Sequence, residues 1–230
     1  MNTAPKVSIC FIEISGSEED NSAIEGLATS LPGHLELKIG RKKFRKDRVI
    51  RAAGWLLLKY QLTQAGYDVE LLAELQNSDF GKPFMAGTFN FSISYSGNFA
   101  ICAAADKIQL GIDIEIVRDI ELIDFSRYFN DTEWSTIVCS EDPQKSFYQY
   151  WTRKESVLKA DGRGLSVDLK DVSINETAGR ISDSNIEYCL FSLTEIGDNT
   201  VAYLCTDHPN ALITVRKIEI DLLSSTVRGG

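Results

Sequence analysis

The 230-residue chain predicts an α+β fold in which two similar halves each pack a small antiparallel sheet with helices. Two observations lead there. Apolar residues recur at helical spacing from about Asp47 to Gln64 (Val49, Ala52, Ala53, Leu56, Leu57, Tyr60), and strand-like runs follow. A second strong helix, Gln144 to about Lys159, is again followed by β-rich runs, from Val172 to Ile220. Helix-then-strands thus occurs twice, which reads as a pseudo-duplication with a cleft between the halves. The expected division is 1–107, 108–223 and a frayed, flexible tail at 224–230.

The individual elements follow in order. Val7 to Ile14 alternates as a strand and ends at Ser15-Gly16-Ser17, and Ser22 to Leu31 is a short helix stopped by Pro32-Gly33. Gly66 closes the long helix, and Gly81-Lys82-Pro83-Phe84 is a turn. Phe89 to Tyr95 and Phe99 to Ala105 flank Ser96-Gly97-Asn98 as a hairpin. Asp131 or Thr132 caps a helix with Glu133 in its first turn, and Gly162 and Gly164 end the second long helix.

Composition narrows the function classes. The hydrophobic fraction of 43% and charged fraction of 25% are those of a soluble globular protein. No apolar run approaches the ~20 residues that span a bilayer, and the N-terminus lacks signal-peptide character. The five cysteines are scattered without metal-ligand spacing, which suits free thiols in a reducing cytoplasm. A net charge of −9 argues against general nucleic-acid binding. Even so, Lys38 to Arg51 carries eight basic residues against one acid, Asp47, making an anion site, a docking patch or a solvated face. His34 and His208 stand in no nucleophile–base arrangement.

The chemistry-bearing residues lie on the strand Leu110 to Ile116. Leu110, Ile112, Ile114 and Ile116 point to a core, so Asp113 and Glu115 share the other face, beside a Gly111 expected to leave room for a ligand. Two such carboxylates repel unless one is protonated or a cation lies between them. Hard oxygens at a roomy pocket suit Mg²⁺, which keeps waters and takes phosphate oxygens. Taken alone, the pair also fits a solvated acidic face. On the second long helix, Phe147, Trp151, Glu155 and Lys159 are spaced by four, so Glu155 should emerge at the core edge with Lys154 beside it. Glu155 and Lys159 could join Asp113 and Glu115 around a metal-bound pyrophosphate, or be an exposed ion pair.

Gly111-Ile112-Asp113-Ile114-Glu115 together with Trp151-Thr152-Arg153-Lys154-Glu155-Ser156-Val157-Leu158-Lys159 resembles the signature pair of the surfactin-type 4′-phosphopantetheinyl transferases. Asn90 to Ser96 resembles that family's hairpin motif, Gly81-Lys82-Pro83 its upstream turn, Phe129 to Trp134 its acidic helix start, and Gly162 to Leu165 its later loop. The resemblance implies transfer of phosphopantetheine from coenzyme A to a serine of an acyl, peptidyl or aryl carrier protein, in a pseudo-dimeric α+β fold. It implies Mg²⁺ (or Mn²⁺) held by Asp113, Glu115 and Glu155, with Glu155 or Glu133 as base, directly or through water. Lys159 would stabilise the transferring phosphoryl group, and Lys82, Ser94, Tyr95, Lys154, Arg48 and Arg51 are the coenzyme A candidates; Lys154 fits simple pairing as well. Trp151 is assigned to packing. Where the family has histidine, this chain has Tyr95, which can donate a hydrogen bond but cannot carry imidazolium charge. The expected setting is a cytoplasmic monomer without nucleic-acid or membrane partners. A metal-dependent nuclease and a non-catalytic module for acidic partners are the alternatives.

Overall fold

The computed structural model describes residues 4–87 and 89–225. The first half comprises β1 (Lys6–Glu13), α1 (Glu18–Ala28), α2 (Gly33–Gly40), α3 (Arg45–Gln64), β2 (Gln76–Asn77), β3 (Pro83–Phe84), β4 (Phe89–Ser96) and β5 (Phe99–Asp106). After β6 (Leu110–Ile116) come α4 (Asp131–Val138), α5 (Pro143–Asp161), β7 (Val172–Ile174), β8 (Ala178–Ile181), β9 (Glu187–Ser192), β10 (Thr200–Thr206), β11 (Leu212–Lys217) and α6 (Ile220–Ser225).

Caps set the helix starts. The Ser17 hydroxyl accepts from the Asp20 amide at 3.1 Å, and three acids fill the first turn, so α1 begins before Ser22. Asn130, not Asp131 or Thr132, caps α4 and forms a reciprocal box with Glu133. In α5, Asp142 caps, Pro143 occupies the first turn, and Gly162 stops the helix at φ +91°.

Two sheets stack between two helical layers. The first has strand order β11-β1-β5-β4 and the second β6-β10-β9-β8-β7. One face of the first sheet packs on α1, α2, α3 and α6 through Cys10, Ile12, Leu57 and Leu223. Its other face, with Ile9 and Ile101, meets Ile112, Ile114 and Leu204 of the second sheet. The far side of the second sheet is covered by α4 and α5 through Ile137, Val157 and Leu158. The helix-packed α+β architecture agrees with the sequence reading, whereas the strand orders do not repeat, so topology does not bear out an internal duplication.

The division at 107/108 also meets a departure. β11 pairs in parallel with β1, from Lys6↔Leu212 to Phe11↔Lys217, and Ile218 and Leu223 lie in the first core. Residues 212–225 therefore fold with the first half, and Ser224 and Ser225 belong to α6. Residues 226–230 lie outside the described residues. No helix among the described residues is long and apolar enough to cross a membrane. All five cysteines are free thiols, three of them buried.

Candidate active site

Alternation on β6 sends Ile112 and Ile114 into the core between the sheets and turns Gly111, Asp113 and Glu115 toward α5. Gly111 does not make room for a ligand as its sequence context suggested. A Cβ there would collide with the Ser156 carbonyl oxygen and the Ala160 amide, so the glycine lets α5 lie against the strand backbone. That approach brings Lys159 to Asp113: its ammonium donates to Asp113 Oδ1 at 2.6 Å and to Ser94 Oγ at 2.7 Å.

The carboxylates feel one another. Burial raises Glu155 to about 6, with Asp113 and Glu115 adding repulsion and Lys159 opposing them. Glu115 is also raised, again chiefly by burial; its hydrogen bond from Ser96 opposes this, and Asp113 adds to it. Asp113 Oδ2 is buried without a hydrogen-bond partner among the described residues. Among those residues, however, no three His, Cys, Asp or Glu side chains are drawn together as a ready metal cage. Lys159 occupies one oxygen of Asp113. The donor chemistry still fits a hard cation, since Mg²⁺ takes one or two protein carboxylates and completes its shell with water and phosphate.

Two sequence candidates pair with each other instead. Lys154 has no exposed side-chain surface; its ammonium donates to Glu133 Oε2 at 2.7 Å and to the Leu169 carbonyl at 2.9 Å. Glu133 Oε2 also accepts the Asn130 amide at 3.0 Å. In this arrangement each buried charge is neutralised by the other. Trp151 packs edge-on to Phe125 and Tyr128 and stacks on Phe147.

A cleft of about 440 Å³ opens beside Glu155 and Lys159, walled by Lys38, Arg51, Trp55 and Tyr95 among others. The basic segment divides here. Lys38, which lies over the Trp55 ring, Lys42 and Arg51 face the cleft. Arg45 is held by Glu18 and Glu25, and Arg48 donates to the Lys42 and Lys43 carbonyls, which removes it from the cleft wall. Tyr95 fits over Gly54, where any Cβ would strike its ring, and the Arg51 guanidinium stacks on it at 4.1 Å. Lys82 lines the cleft, but its ammonium donates to the carbonyls of Lys159, Ala160 and Leu110. It thereby caps the C-terminal end of α5. Ser94 is buried and engaged with Asp113 and Lys159.

The sequence reading missed the alternate serines Ser92 and Ser96 and the aromatic wall residue Trp55. Polar residues at every second position of Phe89–Ser96 were the available signal for the serines.

Comparisons with known proteins give the family. Residues 109–205, which include β6, α4 and α5, match the 4′-phosphopantetheinyl transferase superfamily. The 4′-phosphopantetheinyl transferase Sfp of Bacillus subtilis (strain 168) is 33% identical over 141 residues, covering 57% of this chain and 62% of that protein. The 4′-phosphopantetheinyl transferase ffp of Bacillus subtilis is 31% identical over 160 residues, covering 66% of this chain and 68% of that protein. The L-aminoadipate-semialdehyde dehydrogenase-phosphopantetheinyl transferase of Homo sapiens is 31% identical over 152 residues, 58% of this chain and 48% of that protein. The chain belongs to the 4′-phosphopantetheinyl transferase superfamily. Its match spans less than two thirds of the length of Sfp.

Proposed function

We propose that this chain transfers the 4′-phosphopantetheine arm of coenzyme A to a serine of an apo carrier protein, releasing adenosine 3′,5′-bisphosphate. The observation that carries the reading is Lys159 held on Asp113, beside a Glu155 raised chiefly by burial and further by Asp113, at the wall of a cleft with cationic and aromatic sides. Asp113, Glu115 and Glu155 would hold Mg²⁺, or Mn²⁺ in its place, and the ion would offset charge on the pyrophosphate. The free, buried Oδ2 of Asp113 supports that assignment.

The chain's own groups divide the remaining work. Glu155 takes the serine proton, directly or through water. The committed bonds of Glu133 disfavour it as the alternative base. The Lys159 ammonium stabilises charge on the transferring phosphoryl group. Arg51, Lys38 and Lys42 attract the anionic end of coenzyme A, and Trp55 and Tyr95 supply flat apolar surface. Action as a cytoplasmic monomer, without nucleic acid or membrane, belongs to the same proposal.

Incubation with coenzyme A, Mg²⁺ and an apo carrier protein should add about 340 Da to the carrier by mass spectrometry. Unchanged mass across acyl, peptidyl and aryl carriers would overturn the proposal. Asp113→Ala should abolish the addition while leaving the folded state intact.

A further inference from the structure

β4 and β6 are edge strands of different sheets, and no backbone ladder joins them. Serine hydroxyls take its place. The amides of Ile112, Ile114 and Ile116 donate to Ser92 Oγ at 3.1 Å, Ser94 Oγ at 3.4 Å and Ser96 Oγ at 3.0 Å. The spacing matches because both strands advance two residues per rung. Buried amides need such acceptors, and all three serines are buried.

A hydroxyl has one proton to give. Ser94 gives its proton to Asp113 Oδ1 at 2.7 Å, and Ser96 gives its own to Glu115 Oε2 at 2.6 Å. These two rungs therefore run from backbone amide to hydroxyl to carboxylate, with their direction fixed. Ser94 also receives Lys159, so its contribution cannot be separated from that of the ammonium. Ser96 has the simpler arrangement. One side is tied to the Ile116 amide and the other to one oxygen of Glu115. The carboxylate is oriented by a group that is itself fixed to the backbone of the same strand, one residue along.

We infer that Ser96 is a positioning residue for cation binding: its hydroxyl holds one oxygen of Glu115 and so presents the other to the ion. This rests on the metal assignment proposed above. Outer hydrogen-bond partners of ligating carboxylates carry a large share of metal affinity, about 10–100-fold when removed. Ser92 is the internal control. Its rung has the same amide-to-hydroxyl bond, and among the described residues its hydroxyl donates to no carboxylate.

The test is Mn²⁺ titration of the full chain, followed by electron paramagnetic resonance and calorimetry, alongside thermal melting. Ser96→Ala should weaken Mn²⁺ binding about 10–100-fold. Ser96→Thr, which keeps the hydroxyl, should restore most of it, and Ser92→Ala should lower the melting temperature without changing Mn²⁺ affinity. Wild-type Mn²⁺ affinity in a folded Ser96→Ala chain would overturn the inference while leaving the transferase reading intact. Equal weakening by Ser92→Ala would also overturn it, by reducing the effect to loss of a strand rung. A wild-type chain that modifies carrier protein but binds no Mn²⁺ would remove the metal assignment and this inference together. One that does neither would defeat the functional proposal itself.

Discussion

Lys159 donates to Asp113 Oδ1 at 2.6 Å, so an ammonium on α5 is fixed to a carboxylate on β6. The same nitrogen reaches Ser94 on β4, tying the long helix to an edge strand of each sheet. Lys159→Met should lower kcat about 100-fold, in line with the loss of one preorganised charge-stabilising donor. Coenzyme A binding, measured separately by calorimetry, should fall much less, because Arg51, Lys38 and Lys42 remain.

Glu155 links the site to pH. Its folded-state value of about 6 lies above the ordinary 4.5, so the folded chain holds this proton more tightly than the unfolded chain does. The associated stability is complete below pH 4.5 and is lost as pH rises through 6. Glu155→Gln, which mimics the protonated state, should therefore melt like wild type at pH 4. At pH 8, in chelator, it should be about 1–2 kcal/mol more stable. Transfer should be lost in the same variant.

Gly111→Ala should push α5 away from β6. Overpacking of this kind costs about 1–3 kcal/mol, and backbone atoms on the helix leave little room to relax. Because Lys159 sits one turn beyond Ser156 on that helix, the variant should lose activity at temperatures well below its melting point, as carrier-labelling rates would reveal.

Breaking the Lys154–Glu133 pair should be costly. Lys154→Met leaves a buried carboxylate unneutralised, a loss of about 3–5 kcal/mol by chemical denaturation. Adding Glu133→Gln should recover part of that stability. The recovered double variant should still label carrier protein, which separates a structural pair from a catalytic one.

Tyr95→His should make coenzyme A recognition sensitive to pH. An imidazolium gains charge below its ordinary value of about 6.5, so KM for coenzyme A should fall between pH 7.5 and about 6 in the variant only. Without the phenol over Gly54, part of the Arg51 stacking surface is also lost, and KM at pH 8 should exceed that of wild type.

The sequence made the α+β class, the two long helices, the β4–β5 hairpin and the acidic strand legible, because each rests on local periodicity or turn chemistry. It also brought out Asp113, Glu155 and Lys159, which share chemistry at readable spacing. For Lys154 the sequence left a phosphate contact and simple pairing open, and its pairing with Glu133 was not legible because the two lie on different helices, 21 residues apart. Gly111 was misread because nothing local tells whether missing volume is filled by a ligand or by another backbone. α2 follows Pro32-Gly33, a pair that marks a stop more clearly than a start, and β11 could not be assigned to its sheet because parallel pairing across 200 residues leaves no local trace.

That distant pairing bears on biosynthesis. β1 and β11 are parallel neighbours, so everything between Lys6 and Lys217 must be made before the first sheet can close. Until then a nascent chain shows an unprotected strand edge and the apolar surface that Ile218 and Leu223 later cover. The slow closure of such a long loop makes this stage the point at which chaperones would matter most, and a ribosome stall near residue 205 would leave Asp113 and Lys159 synthesised but the first sheet unfinished.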